Sequence, residues 1–128
     1  MSEEDVPVEK HLDVAGRFLT LAEASSASDG DTGAWSIVLA FYAAVHWVRA
    51  YIRHAKPGAH IASHDDVRHA FQDYPELRRV KPQYDGLKQL SHKVRYYGEL
   101  SYQRQELTDV MRMARQVRDW AVPKIKRG

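Results

Sequence analysis

One stretch of the sequence places a histidine and two arginines among apolar residues. Tyr42, His46, Arg49 and Arg53 follow one another at intervals of four, three and four residues. On an α-helix these four side chains lie within about 60° of one another. Cations in such a stripe pair with carboxylates, line a groove or contact a second subunit, because an uncompensated buried charge is costly. Alternatively, the arginine stems carry their charges to water at the flank of the helix.

A second cationic stripe lies further along the chain. Lys88, His92 and Arg95 are spaced i, i+4 and i+7, so they project from one side of a helix. These side chains could bind phosphate, because cationic donors form strong hydrogen bonds to phosphate oxygens. The alternative is an ordinary solvated basic face.

The segment AKPGAHIASHDDVRHAF between the two stripes is rich in histidine. Neutral imidazoles of His60, His64 and His69 could ligate a metal ion, but their spacing matches no zinc pattern and the HExxH motif is absent. His64, followed by two acidic residues, is more simply interpreted as the first turn of a helix. We therefore expect no metal site and no cofactor.

Apolar residues recur at helical spacing almost throughout, which predicts an all-α, up-and-down four-helix bundle with an additional short helix. The first helix ends in the polar segment 25–33, where Asp31 or Thr32 is placed to cap the second helix over about 34–54. Ser63 is expected to cap the short third helix. Pro82 begins the fourth helix, which ends near Gly98, and the last helix has Pro123 near its end.

The second helix also carries two large aromatic residues on the side opposite its cationic stripe. Trp47 and Tyr51 lie there among alanines, where two helices can approach closely. They indicate either assembly with a second chain or packing against another helix of the same chain.

The length of 128 residues and the 44% of hydrophobic residues indicate a single domain over 1–128, with an acidic tail over about 1–6. Because the chain has no cysteine, disulfide scaffolds, thiolate zinc sites and cysteine nucleophiles are excluded. The most apolar stretch contains His46 and Arg49 and is a poor membrane span. With no signal-peptide pattern at the N-terminus, we expect a cytoplasmic protein without a membrane partner.

Charge is distributed unevenly along the chain. Residues 1–31 carry eight acidic and two basic side chains, a balance of −6, so the remainder carries +8 because the total is +2. Six of the seven histidines lie between His46 and His92, which makes the middle region more positive in mild acid. This asymmetry favours a partner that bears phosphate, unless it is simply a solvated surface.

Three segments carry a resemblance to a known family. WSIVLAFYAAVHWVRAYI, HIASHDDVRHAF and YDGLKQLSHKVRYY resemble the HEPN (higher eukaryotes and prokaryotes nucleotide-binding) superfamily, in particular its small bacterial and archaeal members. The likeness covers about residues 8–122. It implies a helical bundle that dimerises. Many HEPN domains are metal-independent endoribonucleases of toxin–antitoxin and defence systems, and others are non-catalytic modules that bind RNA, nucleotides or proteins.

The family's catalytic motif is an arginine followed after four to six residues by a histidine. The sequence contains it as Arg49 with His54 and as Arg53 with His60. On a continuous helix Arg49 and His54 point about 140° apart, whereas the break at Pro57 lets the chain after Arg53 fold back. We therefore expect Arg53 and His60 to form the active pair, with Arg49 assisting and His54 as a polar neighbour.

The resemblance implies cleavage of RNA by attack of a ribose 2′-hydroxyl, with a histidine as general acid and base and arginines stabilising the transition state. The expected substrate-binding residues are His46, His54, His64, Arg68, Lys88, His92 and Arg95. The expected partners are RNA or a nucleotide, a second copy in a homodimer, and a protein such as an antitoxin or a nucleotidyltransferase. Active members commonly carry the motif later in the bundle, so a non-catalytic interaction module is the alternative.

Overall fold

The computed structural model describes residues 6–27, 31–59, 61 and 64–127, without the side chains of Asp31, His64, Asp65 and Arg127. Over these ranges the chain is helical and contains no strand, which confirms the all-α prediction. Four long helices and one short one form the bundle, as predicted. In chain order the elements are α1 (Val8–Ser26), α2 (Asp31–Ala55), α3 (His64–Asp73), a 3₁₀ segment (Pro75–Val80), α4 (Lys81–Tyr97) and α5 (Arg104–Arg127).

Helix α2 is the central element, and α1, α4 and α5 all pack against it. Ile37, Phe41, Trp47 and Ile52 are almost fully buried along its length. The stretch Thr32–Ala55 is long and apolar enough to cross a membrane by length and composition, but 78% of its 18-residue apolar window is buried inside the bundle. A helix surrounded by its neighbours is expected to be apolar around most of its circumference, so the central position explains this composition.

The start of α2 differs from the prediction. Asp31 and Thr32 are part of the first turn instead of preceding the helix as its cap. The prediction placed the start at about residue 34 because the apolar pattern begins there, whereas polar residues are equally compatible with a first turn. The predicted cap of α3, Ser63, lies outside the described residues.

The end of α4 agrees with the prediction. Gly98 has a left-handed backbone with φ 62°, and its N–H donates to the carbonyl of Lys93. The N–H of Glu99 donates to the same carbonyl at 3.2 Å. Because glycine adopts this conformation without steric strain, it ends the helix at a defined point.

Trp47 and Tyr51 pack within the chain, so the interpretation of these residues as an assembly surface is wrong. Both are buried, and the Tyr51 ring lies 4.7 Å from the ring of Trp120 on α5. The Tyr51 hydroxyl also donates a hydrogen bond to the carboxylate of Glu76 in the 3₁₀ segment. These contacts leave neither side chain available to a second chain.

Candidate functional site

The α2 stripe, defined as Tyr42, His46, Arg49 and Arg53, forms the floor between α1 and α4. Arg49 is buried, and the other three side chains are half-buried. The Tyr42 ring lies 5.9 Å from Phe18 of α1, and the guanidinium of Arg95 on α4 lies 5.8 Å from the same ring. The stripe therefore faces the region that these two helices flank.

A pair of histidines joins α1 to α2 at this stripe. The Nδ1 atoms of His11 and His46 are 3.0 Å apart, so one ring donates and the other accepts a hydrogen bond. The ring of Phe18 stacks on His46 at 5.8 Å. Burial, and then the charges of His46, Arg49 and Arg53, lower the pKa of His11 to about 4. His11 is thus neutral near pH 7.

Arg53 occupies the end of the stripe, where α2 meets the following turn. Its Nη1 donates to the carbonyl of Pro57 at 2.8 Å, so the side chain contacts the turn that follows the helix. Its Nε and Nη2 atoms are buried and have no hydrogen-bond partner within the described ranges. The Nε2 atom of His11 is likewise buried and has no hydrogen-bond partner within these ranges. Unsatisfied buried guanidinium donors such as those of Arg53 are suited to bind an anionic oxygen, since leaving them unpaired is costly.

Arg49 lies deeper than Arg53, between α1 and α4. Its guanidinium lowers the pKa of His11, and it opposes the increase that burial causes in the pKa of Tyr84 on α4. Arg49 therefore places a positive charge beneath the middle of the stripe, where it strengthens attraction of an anion through the low-dielectric interior.

The second predicted stripe lines an open groove on α4 with a volume of about 470 Å³. Asp85 is the carboxylate at this groove, and its charge is paired with Lys81. The groove is therefore cationic overall. We use the name α4 groove for the surface formed by Lys88, Gln89, His92, Lys93, Arg95 and Tyr97.

Arg95 connects the α4 groove to the α2 stripe. Its guanidinium carbon lies 5.5, 5.8 and 5.1 Å from the ring centroids of Phe41, Tyr42 and Tyr96. Such cation–π contacts hold an arginine in a fixed position without neutralising it. Aromatic rings and cations therefore continue without a break from the α4 groove to the His11–His46 pair.

The remaining predicted site residues are dispersed or not described. His54 is half-buried in the last turn of α2, and Arg68 is exposed on α3. His60 and the side chain of His64 lie outside the described residues. The expected pairing of Arg53 with His60 therefore stays a prediction.

Sequence reasoning missed two contributors to the site. These are His11 on α1 and Tyr96 on α4. The signal for His11 was a titratable residue at a core-facing position, which requires a polar partner on a neighbouring helix. The pattern within one helix does not identify that partner.

No cluster of three or more histidine, aspartate or glutamate side chains suited to a metal ion occurs in the described part of the chain. Because His60 and His64 lie outside that part, the expectation of no metal site stays a prediction. The site as described is composed of arginine, imidazole and aromatic groups, and these bind anions and planar rings.

The model of the HEPN domain family matches residues 8–125, nearly the whole chain. No curated protein and no solved structure matches the chain at a significant level.

Proposed function

The chain belongs to the HEPN family, and we propose that it binds RNA through phosphate groups held along the α2 stripe. HEPN domains in general are RNA-binding or nuclease-like. The observation that carries the proposal is the pair of buried, unsatisfied donors at one end of the stripe, Nε and Nη2 of Arg53. A phosphate oxygen would supply the missing hydrogen bonds and would be attracted by the charge of Arg49.

The dimensions of the stripe suit a chain ligand better than a single small anion. Tyr42 and Arg53 are eleven residues apart on one helix, which corresponds to roughly 16 Å along its axis. The α4 groove extends the cationic surface beyond Tyr42 through Arg95. A polyanion that spans both surfaces would contact several cations at once, and this makes affinity strongly dependent on salt.

We further propose that the site cleaves RNA without a metal ion, with Arg53 and His60 as its central pair. Arg53 fastens the Pro57 carbonyl to the end of α2, so the turn that leads to His60 begins beside the stripe. In the proposed reaction the ribose 2′-oxygen attacks the adjacent phosphorus, and a histidine accepts the 2′-hydroxyl proton. The P–O5′ bond breaks, the 5′-oxygen receives a proton, and the products are a 2′,3′-cyclic phosphate and a 5′-hydroxyl.

In this reaction Arg53 and Arg49 stabilise negative charge on the phosphorane-like transition state. His46, His54, His64 and Arg68 are proposed to contact the RNA on either side of the cleaved bond, together with Lys88, His92 and Arg95. Arg49 is buried and therefore acts through charge more than through direct contact. The proposal extends to a homodimer and to a role in toxin or defence systems, both of which rest on the family alone.

The alternative function is a non-catalytic module that binds a protein such as a nucleotidyltransferase. That function requires an exposed apolar patch without a basic groove. Leu21 and Trp35 are exposed on α1 and α2, but the two most exposed large hydrophobic residues, Tyr96 and Tyr97, lie beside cations of the α4 groove. This arrangement favours RNA over a protein surface as the partner.

The test is cleavage and binding of a labelled, structured RNA in excess EDTA by the wild-type protein, Arg53→Gln and His60→Ala. Oligomer mass is recorded on the same samples. We expect the wild-type protein to bind the RNA and to produce cyclic-phosphate ends, Arg53→Gln to bind more weakly and to lose cleavage, and His60→Ala to bind without cleaving.

Binding without cleavage by the wild-type protein would overturn the nuclease proposal and leave the RNA-binding proposal intact. Absence of binding at low salt would overturn both. Equal cleavage by wild type and His60→Ala would show that another base acts, because the general-base role assigned to His60 would then be wrong.

A further inference from the structure

Two exposed tyrosines at the end of α4 form a surface that the phosphate contacts do not use. Tyr96 and Tyr97 are 66% and 74% exposed, the highest values among the large hydrophobic residues of the described ranges. A ligand that covers these aromatic rings would bury their apolar area, which stabilises the complex.

The tyrosines pack against an imidazole and a guanidinium group. The ring of His92 lies 4.6 Å from Tyr96 and 5.4 Å from Tyr97. The guanidinium carbon of Arg95 lies 5.1 Å from the Tyr96 centroid. Each tyrosine ring is therefore in contact with a neighbouring side chain on one side, and most of its remaining surface is open to solvent.

The backbone beneath the tyrosines is equally well defined. They occupy the last turn of α4, which ends at Gly98 with two hydrogen bonds to the Lys93 carbonyl. A surface built on a regular, capped helix end needs little ordering when a ligand binds, and this lowers the entropic cost of binding.

We propose that Tyr96 and Tyr97 stack on unpaired bases of single-stranded RNA while Lys88 and Lys93 of the α4 groove contact its phosphates. Charge complementarity supports this occupant, because within the described ranges neither lysine nor Arg95 has a carboxylate partner and Asp85 is already paired with Lys81. Stacking requires bases that are outside a double helix, so the surface selects single strands over duplexes. This inference rests on the proposed RNA-binding function and specifies its substrate class.

The experiment compares a labelled eight-nucleotide single-stranded RNA, the same strand in a duplex, and an abasic strand of equal length, by fluorescence anisotropy. The variants are Tyr96→Leu/Tyr97→Leu, which removes the rings, and Tyr96→Phe/Tyr97→Phe, which retains them. Leu21→Ala serves as a control for loss of an exposed apolar side chain on α1. Thermal unfolding of each variant establishes that it is folded.

We expect the leucine pair to weaken binding of the single strand by about tenfold or more, and the phenylalanine pair and Leu21→Ala to bind as the wild type does. Binding of the duplex and of the abasic strand should be unaffected by the leucine pair. The slope of log affinity against log salt should also stay the same, because no phosphate contact is lost.

Unchanged affinity of the leucine pair for the single strand would overturn the stacking proposal, even if Arg53→Gln still weakens binding. Equal losses for the abasic strand and the base-containing strand would overturn it as well, since the tyrosines would then act on the backbone. Failure of the wild-type protein to bind any of the RNAs would instead overturn the RNA-binding function itself.

Discussion

The Nδ1 atoms of His11 on α1 and His46 on α2 lie 3.0 Å apart, in direct hydrogen-bonding contact. This contact ties the two helices together at the floor of the proposed site. Arg49 and Arg53 on the same stripe surround the pair with positive charge. Stability of the bundle and electrostatics of the site therefore depend on the same few groups.

The first prediction concerns pH. Burial and nearby positive charge lower the pKa of His11 from 6.5 to about 4 in the folded chain, so the unfolded chain binds a proton in a range where the folded chain does not. The free energy of unfolding should therefore fall as the pH decreases from about 6.5 to about 4, by about 3 kcal/mol from this group. Below about pH 4 the contribution of His11 should no longer change.

Urea unfolding between pH 4 and pH 7.5 tests this prediction with His11→Gln. The free energy of unfolding of this variant should decrease less than that of the wild type as the pH falls across that window, because glutamine does not titrate. His69→Gln, on the exposed side of α3, is the matched control and should follow the wild type. If the free energy of unfolding depended on pH in the same way in His11→Gln and in the wild type, the fold would not be holding His11 neutral.

The second prediction concerns two glycines with opposite requirements. Gly16 lies within α1 with no atom near the position of an added Cβ, so Gly16→Ala should raise the free energy of unfolding by about 1 kcal/mol. Gly98 has a φ of 62°, where a side chain is strained, so Gly98→Ala should lower it by about 1 kcal/mol. Denaturant titration of both variants gives the sign of each change in the free energy of unfolding. Changes of the same sign would contradict the left-handed backbone assigned to Gly98 at the end of α4.

The third prediction concerns the hydrogen bond between Tyr51 and Glu76. It joins α2 to the 3₁₀ segment, so Tyr51→Phe should lower the free energy of unfolding by about 1 kcal/mol. Tyr97→Phe, which removes the same hydroxyl from an exposed ring, should leave stability unchanged. Thermal or urea unfolding measures both variants. If both lose a similar amount of stability, the hydrogen bond between Tyr51 and Glu76 is not the cause of the loss in Tyr51→Phe.

Most of the fold followed from the sequence because helical periodicity is a property of each segment by itself. The α2 stripe was predicted for the same reason, since its four residues lie on one helix and their relative directions are fixed by geometry. Lys88, His92 and Arg95 were likewise predicted to project together, and they line one groove.

What the sequence did not predict involves contacts between helices. The partner of His46 is on α1, 35 residues away, and nothing in either helix specifies the other. Tyr51 could equally have faced a second chain, and the position of Trp120 on α5 is what covers it. The exposure of Tyr96 likewise depends on which neighbours pack against α4.

The central claim is that Arg53 contacts RNA phosphate, and the salt dependence of affinity tests it most directly. The affinity of wild type, Arg53→Gln and Arg17→Gln for one single-stranded RNA is measured by anisotropy across a range of salt concentrations. Arg17 is an exposed arginine of α1 paired with Asp13 and is the matched control. The account predicts a steep negative slope of log affinity against log salt for wild type and Arg17→Gln, and a slope shallower by about 0.7 with weaker binding for Arg53→Gln. A slope near zero for the wild type, or the same affinity and slope for Arg53→Gln, would contradict it.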